Sequence, residues 1–312
     1  MLITKNNISI TVFENNNSLS PEAINSTEIL QTFKETGVVL LRGWDFDSSS
    51  FQIFTQKFCN RFHKVATRAE RQDSQSDGYS TNVFKDNFTL LAHTEGGYRP
   101  YGVFSNSIFH PPEACFFLCL TPPLTLGGET TLVDGCQFLE KMSIPLREHF
   151  RRAGLTYNMI WESERWQPEF NVEDIHSLRN LLATIPNLKY RIQDSVLEMF
   201  YTTEAITQTL NGQSAFATGL LAHLPRITHP NYLDKNVHTK YSNRVFFGDG
   251  EEITEAIINE LIDIHDNLSY HHRWQIKDIL FIDNTRYLHG RTMTAEPCER
   301  ALQSRFGWFH NL

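Results

Sequence analysis

The sequence predicts a mainly β protein whose strand core is decorated by helices. Short apolar segments typical of strands concentrate in the middle and at the end of the 312-residue chain, whereas helical periodicity occurs at the front and again late. Hydrophobic residues make up 40% of the chain and charged residues 21%, which is typical of a globular protein and excludes a mainly disordered one. Since no repeat or low-complexity linker divides the chain, we predict a single domain over residues 1–312.

The front of the chain predicts one buried strand between two helices. A helix that opens at Ser20-Pro21 should end at Gly37, because glycine readily adopts the left-handed conformation that closes a helix. The apolar run Val38–Arg42 is typical of a buried strand. The spacing of four phenylalanines indicates one face of a second helix: Phe51, Phe54, Phe58 and Phe62.

The remainder of the chain predicts further strands and later helices. The apolar segments that predict strands are Ala114–Leu120, Thr131–Val133, Ile279–Ile282, Arg286–Leu288 and Leu302–Trp308. Asp134 should cap the helix that follows the second of these strands. Asp249 and Glu252 have the spacing of a capping box, which predicts the start of another helix.

The charge balance argues against a nucleic-acid partner, and the short apolar runs argue against a membrane-spanning segment. With 28 Lys and Arg against 36 Asp and Glu, the formal net charge is −8, and no basic tract occurs. The longest apolar run, Ala114–Leu120, is far too short to cross a bilayer. The first residues lack the apolar stretch of a secretory signal and the five cysteines are unclustered, so we expect a reducing, cytoplasmic location. The sequence leaves the formation of a homo-oligomer open.

His93-Thr94-Glu95 places an imidazole and a carboxylate at positions i and i+2. On an extended backbone these two side chains point to the same side, so both can bind one metal ion. His289, in the later segment 283–291, offers a second imidazole. Two imidazoles and one carboxylate on one face of an octahedron leave three positions open, which suits iron(II) that must hold a co-substrate and dioxygen together.

With further motifs, these residues resemble the iron(II)/2-oxoglutarate-dependent oxygenases of the taurine dioxygenase group, particularly its clavaminate synthase-like and amino-acid hydroxylase branches, which use Glu in place of Asp. The motifs follow the family's order: His93-Thr94-Glu95, Gly127-Gly128-Glu129-Thr130, Trp274-Gln275 with Asp278, and Asp283-Asn284 leading to His289-Gly290-Arg291. The resemblance implies a double-stranded β-helix (jelly-roll, cupin-like) core over about residues 38–309 with N-terminal helices. Helical or lid insertions are then expected at about 67–86 and 135–272.

The resemblance also implies the roles of five residues. His93, Glu95 and His289 match the metal ligands at the catalytic centre. Thr130 and Arg300 match the pair that holds the distal carboxylate of 2-oxoglutarate, since a planar guanidinium can bind a carboxylate through two hydrogen bonds. The implied cofactors are Fe(II), 2-oxoglutarate as co-substrate and O2.

The implied reaction couples oxidative decarboxylation of 2-oxoglutarate to oxidation of a C–H bond. The expected substrate is a small molecule, either amino-acid-derived or an intermediate of specialised metabolism, and hydroxylation is the default outcome. Desaturation, epoxidation and ring formation remain open. Halogenating relatives replace the carboxylate ligand with a small residue, so Glu95 favours oxygenation or desaturation over halogenation.

One departure from the family concerns the substrate. Relatives that oxidise amino acids often carry a second arginine four residues after the first, where this sequence has Ser304 followed by Arg305. Residues five apart on a strand face opposite sides, so Arg305 would reach the site only through a bulge. This departure argues against a free α-amino acid as the substrate.

Candidates for the substrate pocket lie in loops near the triad or in the inserted segments. They are Tyr98, Arg99, Arg165, Trp166 and Asp249, with Arg305 as a further candidate, and an ordinary surface position is the alternative for each. Two other functions compete with the oxygenase. A zinc hydrolase could use two His and one Glu but would need neither Arg300 nor Thr130, and a non-catalytic binding protein would not need a complete triad.

Overall fold

The computed structural model describes residues 2–5, 8–16, 18–63, 78–83, 87–100, 110–224, 226–233, 235–237, 243–294 and 300–310. The strands in these ranges are β1 (Leu2–Lys5), β2 (Ile8–Glu14), β3 (Val38–Arg42), β4 (Cys59–Phe62), β5 (Thr81–Asn82), β6 (Leu90–His93), β7 (Ala114–Thr121), β8 (Thr130–Asp134), β9 (Leu155–Trp161), β10 (Leu188–Gln193), β11 (Val196–Thr203), β12 (Ile206–Gln208), β13 (Ser214–Phe216), β14 (Asn243–Phe247), β15 (Tyr270–His272), β16 (Ile279–Asp283), β17 (Tyr287–Arg291) and β18 (Ala301–Phe309). The α-helices are α1 (Ser26–Thr36), α2 (Ser48–Gln56), α3 (Gly135–Lys141), α4 (Ile144–Ala153), α5 (Ser163–Phe170), α6 (Ile175–Leu182) and α7 (Glu255–Leu268). Within the described ranges, no helix has the length and apolar character needed to span a membrane.

Two sheets face each other and form the core. Seven strands of the larger sheet lie in the order β1-β2-β3-β16-β7-β18-β4, and β5 pairs with β18. The smaller sheet has the order β15-β8-β17-β6. Apolar side chains from both sheets, such as Phe117 of β7 and Leu132 of β8, meet in one buried cluster between them. This sandwich confirms the predicted mainly β fold with a jelly-roll core.

The central strands of the larger sheet are buried on both faces. In β7, Cys115 and Phe117 pack toward the smaller sheet, whereas Phe116 and Leu118 pack in the outer apolar cluster. Successive side chains of a strand point to opposite faces, so an unbroken apolar run can fill two layers at once. The same two-sided burial explains why the runs at 38–42 and 279–282 are continuously apolar.

Helices α1 and α2 cover the outer face of the larger sheet. As predicted, α1 ends at Gly37, whose φ of +74° is left-handed. Phe33 of α1 stacks on Phe281 of β16, with the ring centroids 3.8 Å apart. The prediction that Phe58 and Phe62 continue the face of the second helix is wrong, because α2 ends at Gln56 and β4, which contains Phe62, pairs with β18.

The insertion predicted as helical at about 135–272 contains strands as well as helices. Four of its strands form a separate sheet in the order β10-β11-β9-β14, and β12 pairs with β13. Its last predicted residues form β15, which pairs with β8 and so belongs to the core. The apolar interior of the insertion packs against the outer face of the smaller sheet through residues such as Val133 and Leu288.

Two further segments differ from the predicted boundaries. β1 and β2 precede the predicted core start at residue 38, yet they extend the larger sheet, where β2 pairs in parallel with β3. Of the lid predicted at about 67–86, residues 67–77 and 84–86 lie outside the described residues. Between them, Thr81–Asn82 is a short strand paired with β18 and is not loop-like as predicted.

A buried ion pair joins β3 to the turn before β16. The fully buried Asp278 accepts hydrogen bonds from Nε and Nη2 of Arg42, at 2.9 and 2.6 Å. Its carboxylate also accepts the N–H of Gln275 at 2.9 Å. Burial by itself would raise the pKa of Asp278, but the hydrogen bonds from Arg42 and Gln275, together with the nearby His272 imidazole, outweigh it and hold that pKa below its ordinary value.

Replacing Asp278 with Asn should lower the free energy of unfolding by about 3 kcal/mol at neutral pH, because the Arg42 charge loses its carboxylate partner. The folded-state pKa of Asp278 lies below the unfolded value, so its stabilisation is complete above the unfolded pKa and is lost as the pH falls through the folded pKa. The difference between wild type and variant should therefore shrink below about pH 4. Urea unfolding at neutral and acid pH measures both effects.

Asp45→Asn provides the matched control, because Asp45 forms an exposed pair with Lys277, next to Asp278 in the chain. Exposed pairs contribute little, so this variant should unfold like the wild type. Equal destabilisation at the two positions would contradict a special role of the buried pair.

Candidate active site

Two histidines face each other on neighbouring strands of the smaller sheet. His93 ends β6 and is paired in register with His289 of β17. The centroids of the two rings lie 4.8 Å apart. His289 shares one face of β17 with Tyr287, which packs in the cluster between the two sheets, so the His289 imidazole points into the sandwich.

Glu95 brings a carboxylate to these imidazoles. Its Oε2 lies 4.0 Å from Nε2 of His93 and 4.0 Å from Nε2 of His289. Ligand atoms of the three residues all lie within 4.8 Å of one another. The structure thus brings together the three residues that the sequence predicts as metal ligands.

The two imidazoles are arranged to bind a divalent ion. Nδ1 of His93 lies 3.2 Å from the carbonyl oxygen of Leu91 and must donate to it, which leaves Nε2 as an electron-pair donor. Burial, together with the nearby His93, lowers the pKa of His289 to about 3, against the opposing effect of Glu95. Neutral imidazoles and an ionised carboxylate are the forms that bind metal, so this donor set fits iron(II).

The outer edge of β6 is covered by the insertion. The N–H of Ala92 donates to Nε2 of His265 on α7 at 3.2 Å, and the N–H of Thr94 donates to the carbonyl oxygen of Thr218 at 2.9 Å. Nδ1 of His265 donates to Asp266 at 2.9 Å, which fixes the tautomer whose Nε2 can accept. Sequence reasoning missed His265, since its helical position indicates burial but gives no partner.

A cavity extends from the triad between the two sheets. Its described lining residues are Asn82, Val83, Phe88, Leu90, His93, Glu95, Phe117, Thr130, His289, Gly290, Arg291, Arg300, Ser304 and Phe306. Thr130 and Arg300, the predicted 2-oxoglutarate-binding pair, are therefore in the same cavity as the triad. Its wall combines aromatic and aliphatic side chains with two guanidinium groups.

Thr130 is held in place by Trp274. This tryptophan belongs to one of the sequence motifs, but the sequence assigns it no role. The indole N–H of Trp274 donates to Oγ1 of Thr130 at 3.1 Å. Because an indole nitrogen only donates, Thr130 accepts in this bond and its hydroxyl hydrogen can be donated to another group. Behind Trp274 lies His272, whose ring meets the indole edge-on at 4.6 Å, and Nε2 of His272 is 3.7 Å from Asp278.

Arg291, which closes the sequence motif His289-Gly290-Arg291, also lines the cavity. It lies two positions after His289 on β17 and so on the same face of the strand. Its guanidinium lies 4.7 Å from the ring centroid of Phe88 and donates to the carbonyl oxygen of Phe88 at 3.3 Å. The i, i+2 relation to His289 is the sequence signal that identifies it.

Tyr98 and Arg99 follow Glu95 in the chain but pack beneath the insertion. Arg99 donates to the carboxylate of Glu169 on α5 at 3.0 Å, and both side chains are buried. The ring of Tyr98 lies 3.9 Å from that of His223. Neither predicted substrate residue is among the described residues that line the cavity.

Arg165 and Trp166 lie on α5 and contact other parts of the insertion. Trp166 is 1% exposed and donates its indole N–H to the carbonyl oxygen of Ser195 at 2.8 Å. The guanidinium of Arg165 lies 4.4 Å from the ring centroid of Trp161. The packing of α5 directs both residues into the insertion. Neither is among the described residues that line the cavity.

Asp249 also lies apart from the described cavity lining. It follows β14 in a turn, where its carboxylate is 3.0 Å from Nε2 of His149. The helix predicted to begin there is α7, which begins at Glu255 with Thr254 as its N-cap. Asp249 therefore lies in a turn after β14 and does not form the predicted capping box with Glu252 at the start of a helix.

Arg305 points away from the cavity. Its neighbours Ser304 and Phe306 line the cavity, whereas Arg305 donates to Oγ of Ser80 at 2.6 Å and lies 4.3 Å from the ring centroid of Phe62. The register shifts in the pairing of β18 lie at Ala301/Leu302 and at Trp308/Phe309, and the pairing with β7 is regular from Leu302 to Gly307. The bulge that would bring Arg305 to the substrate is therefore not present at this part of β18.

Comparison with known proteins identifies the family. The chain matches the model of the family described as "Taurine catabolism dioxygenase TauD, TfdA family" over residues 10–305. The chain belongs to this family. The resemblance seen in the motifs and the assignment to the dioxygenases are thereby confirmed.

Known proteins that are similar to this chain share little sequence identity with it. The dapdiamide synthesis protein DdaC of Enterobacter agglomerans is 21% identical over 273 residues, which cover 84% of this chain and 79% of DdaC. The structure of PvcB from Pseudomonas aeruginosa is 15% identical, with a TM-score of 0.57 over 95% of this chain and 84% of PvcB. A taurine dioxygenase from Burkholderia xenovorans is 14% identical, with a TM-score of 0.55 over 95% of this chain and 85% of that protein.

A divalent ion should bind to the triad and stabilise the fold. At a free Mn(II) concentration of about 100 times the dissociation constant, the wild type should gain about 2.7 kcal/mol in free energy of unfolding. His289→Ala should lose most of this gain because one ligand is missing. Denaturant unfolding with and without Mn(II) measures it, and His176→Ala, on the exposed face of α6, should respond like the wild type. An undiminished gain in His289→Ala would contradict the ligand assignment.

Proposed function

We propose that this protein is an iron(II)- and 2-oxoglutarate-dependent oxygenase that hydroxylates a C–H bond of a small molecule. The observation that carries the proposal is one cavity lined by His93, Glu95 and His289 and also by Thr130 and Arg300. A zinc hydrolase could use the same three ligands, but it has no need of a guanidinium and a hydroxyl that together bind a dicarboxylate.

The triad supplies three ligands for iron(II) and leaves coordination positions for the co-substrate and O2. Bound iron with 2-oxoglutarate supplies the oxidative decarboxylation and the oxidation of the substrate C–H bond. The two strands fix His93 and His289, and Glu95 offsets part of the charge of the ion. Because Glu95 keeps its carboxylate at the metal, oxygenation or desaturation is favoured over halogenation.

Arg300 and Thr130 bind the distal carboxylate of 2-oxoglutarate. Both side chains are at most 5% exposed, so a charge-assisted hydrogen bond made there is shielded from water. Trp274 keeps the oxygen of Thr130 occupied as an acceptor, which directs the hydroxyl hydrogen toward the carboxylate. A buried arginine and an oriented hydroxyl together favour a dicarboxylate co-substrate over a monocarboxylate.

The primary substrate is an amino-acid-derived compound or another intermediate of specialised metabolism. Ser304 lines the cavity at the position where amino-acid-oxidising relatives often carry an arginine, which favours a derivative over a free α-amino acid. The names of two relatives support a biosynthetic role: DdaC is a dapdiamide synthesis protein, and PvcB is an Fe, alpha-ketoglutarate dependent oxygenase from an isonitrile synthetic pathway. Desaturation, epoxidation or ring formation would use the same site.

The proposal is tested by anaerobic titration of the protein with iron(II) and then with 2-oxoglutarate. Formation of the weak visible charge-transfer band of the iron–2-oxoglutarate chelate is the expected result. In air, the wild type should form succinate, whereas His93→Ala, Glu95→Ala and His289→Ala should nearly abolish it while their circular dichroism stays native. Absence of both the band and succinate in the wild type would refute the proposal.

Arg300→Ala should raise the apparent 2-oxoglutarate requirement about 30-fold or more, since losing a buried charge-assisted contact costs roughly 2–5 kcal/mol. Metal affinity should change far less. Arg300→Lys should recover only part of the loss, because an ammonium cannot bind a carboxylate through two parallel hydrogen bonds. Arg165→Ala is the control outside the cavity. Unchanged 2-oxoglutarate affinity in Arg300→Ala would contradict this assignment and indicate that Arg291 binds the distal carboxylate instead.

Trp274→Phe should raise the 2-oxoglutarate requirement by about 2- to 10-fold, which corresponds to the roughly 0.5–1.5 kcal/mol of one hydrogen bond. Thr130→Val should remove the same interaction from the other side. In the double variant the two effects should therefore be less than additive. Trp166→Phe, which loses an indole hydrogen bond within the insertion, should leave the requirement unchanged. Fully additive effects of the two variants would show that Trp274 does not act through Thr130.

A further inference from the structure

Asn284, in the turn between β16 and β17, is hydrogen-bonded to the backbone of Glu95. Its side-chain oxygen accepts the N–H of Glu95 at 2.9 Å, and its side-chain nitrogen donates to the carbonyl oxygen of Glu95 at 3.1 Å. The same nitrogen donates to the carbonyl oxygen of Pro112 at 2.7 Å. Asn284 is 1% exposed, so its side-chain amide makes these bonds from a buried position.

The chemistry of this contact is specific to a primary amide. An asparagine side chain offers two N–H donors and a carbonyl acceptor, and here both donors and the acceptor are used. An aspartate could accept the N–H of Glu95 but would place its oxygens against two carbonyl oxygens. An alanine would leave one N–H and two carbonyl groups without this partner, which costs free energy.

The turn that carries Asn284 is itself fixed on both sides. The N–H of Asn284 donates to the carbonyl oxygen of Glu113 at 2.9 Å, and the N–H of Asp283 donates to that of Gly37 at 2.7 Å. Oδ1 of Asp283 accepts from the N–H and the hydroxyl of Thr285, at 2.8 and 2.6 Å. The chain then continues directly into β17 and reaches His289 five residues after Asn284.

We infer that Asn284 is a positioning residue that holds Glu95 relative to His289. The two imidazoles lie on paired strands, whereas Glu95 lies two residues beyond the end of β6. By binding both the N–H and the C=O of Glu95, the amide restricts the backbone on either side of that residue. The carboxylate is thereby held near both imidazoles before a metal ion arrives.

This inference rests on the proposed function, in which Glu95 is a ligand of a resident metal ion. Groups that orient metal ligands typically contribute 10- to 100-fold to metal affinity. Asn284→Ala should therefore weaken Co(II) binding by about that factor. The visible absorption spectrum of bound Co(II) should also change, because the carboxylate is no longer held in one position.

The matched control is Asn158→Ala. Asn158 is also buried, and its amide nitrogen donates to Glu198 at 3.1 Å and to the carbonyl oxygen of Met199 at 3.3 Å, within the sheet of the insertion. A general loss of stability would affect both variants, whereas only Asn284→Ala should lose Co(II) affinity. Equal Co(II) affinity in Asn284→Ala and wild type would overturn the inference. Failure of the wild type itself to bind Co(II) would instead overturn the proposed function.

A second measurement needs no variant and covers the case in which Asn284→Ala does not fold. Hydrogen exchange of the metal-free wild type should show the Glu95 N–H protected well above the level of an exposed loop amide, because Asn284 accepts it in a buried site. Rapid exchange of that amide would show that the contact does not hold the loop, and the inference would fall.

Discussion

The pairing of His93 with His289 across β6 and β17 is the constraint on which the rest of the site depends. Strand pairing sets the separation of opposed side chains without help from any loop, so the two imidazoles are held at 4.8 Å between ring centroids by the sheet itself. Gly290 permits the close approach of the two strands, since a Cβ at that position would lie 2.4 Å from the carbonyl oxygen of Leu90. The apolar layers on both faces of the sheet then keep the strands in this register.

The pairing of β17 with β8 extends the site toward the proposed co-substrate pair. Arg291 of β17 is paired with Thr130 of β8, one side-chain repeat beyond His289. Arg300 precedes β18 in the opposite sheet and lines the cavity from that side. The two imidazoles and Thr130 are therefore spaced by strand geometry, whereas Glu95 lies in a loop beyond the end of β6.

Features that depend on local pattern could be predicted from the sequence, and features that depend on tertiary partners could not. The buried strands and the left-handed end at Gly37 follow from apolar runs and from the conformational freedom of glycine. The strand at 188–193 alternates polar and apolar residues and was a detectable signal within the supposedly helical insertion. Trp166 and Arg99 could not be placed from the sequence, because the residues that hold them, Ser195 and Glu169, are distant in the chain.

The cover over the outer edge of β6 has a consequence beyond the metal centre. An uncovered strand edge presents unpaired N–H and C=O groups to which a strand of another molecule can add. Here His265 and Thr218 accept the outward N–H groups of Ala92 and Thr94, so the insertion closes the edge of the strand that carries His93. A shortened chain without the insertion would keep all three ligand residues, yet it would expose a sheet edge through which copies could aggregate.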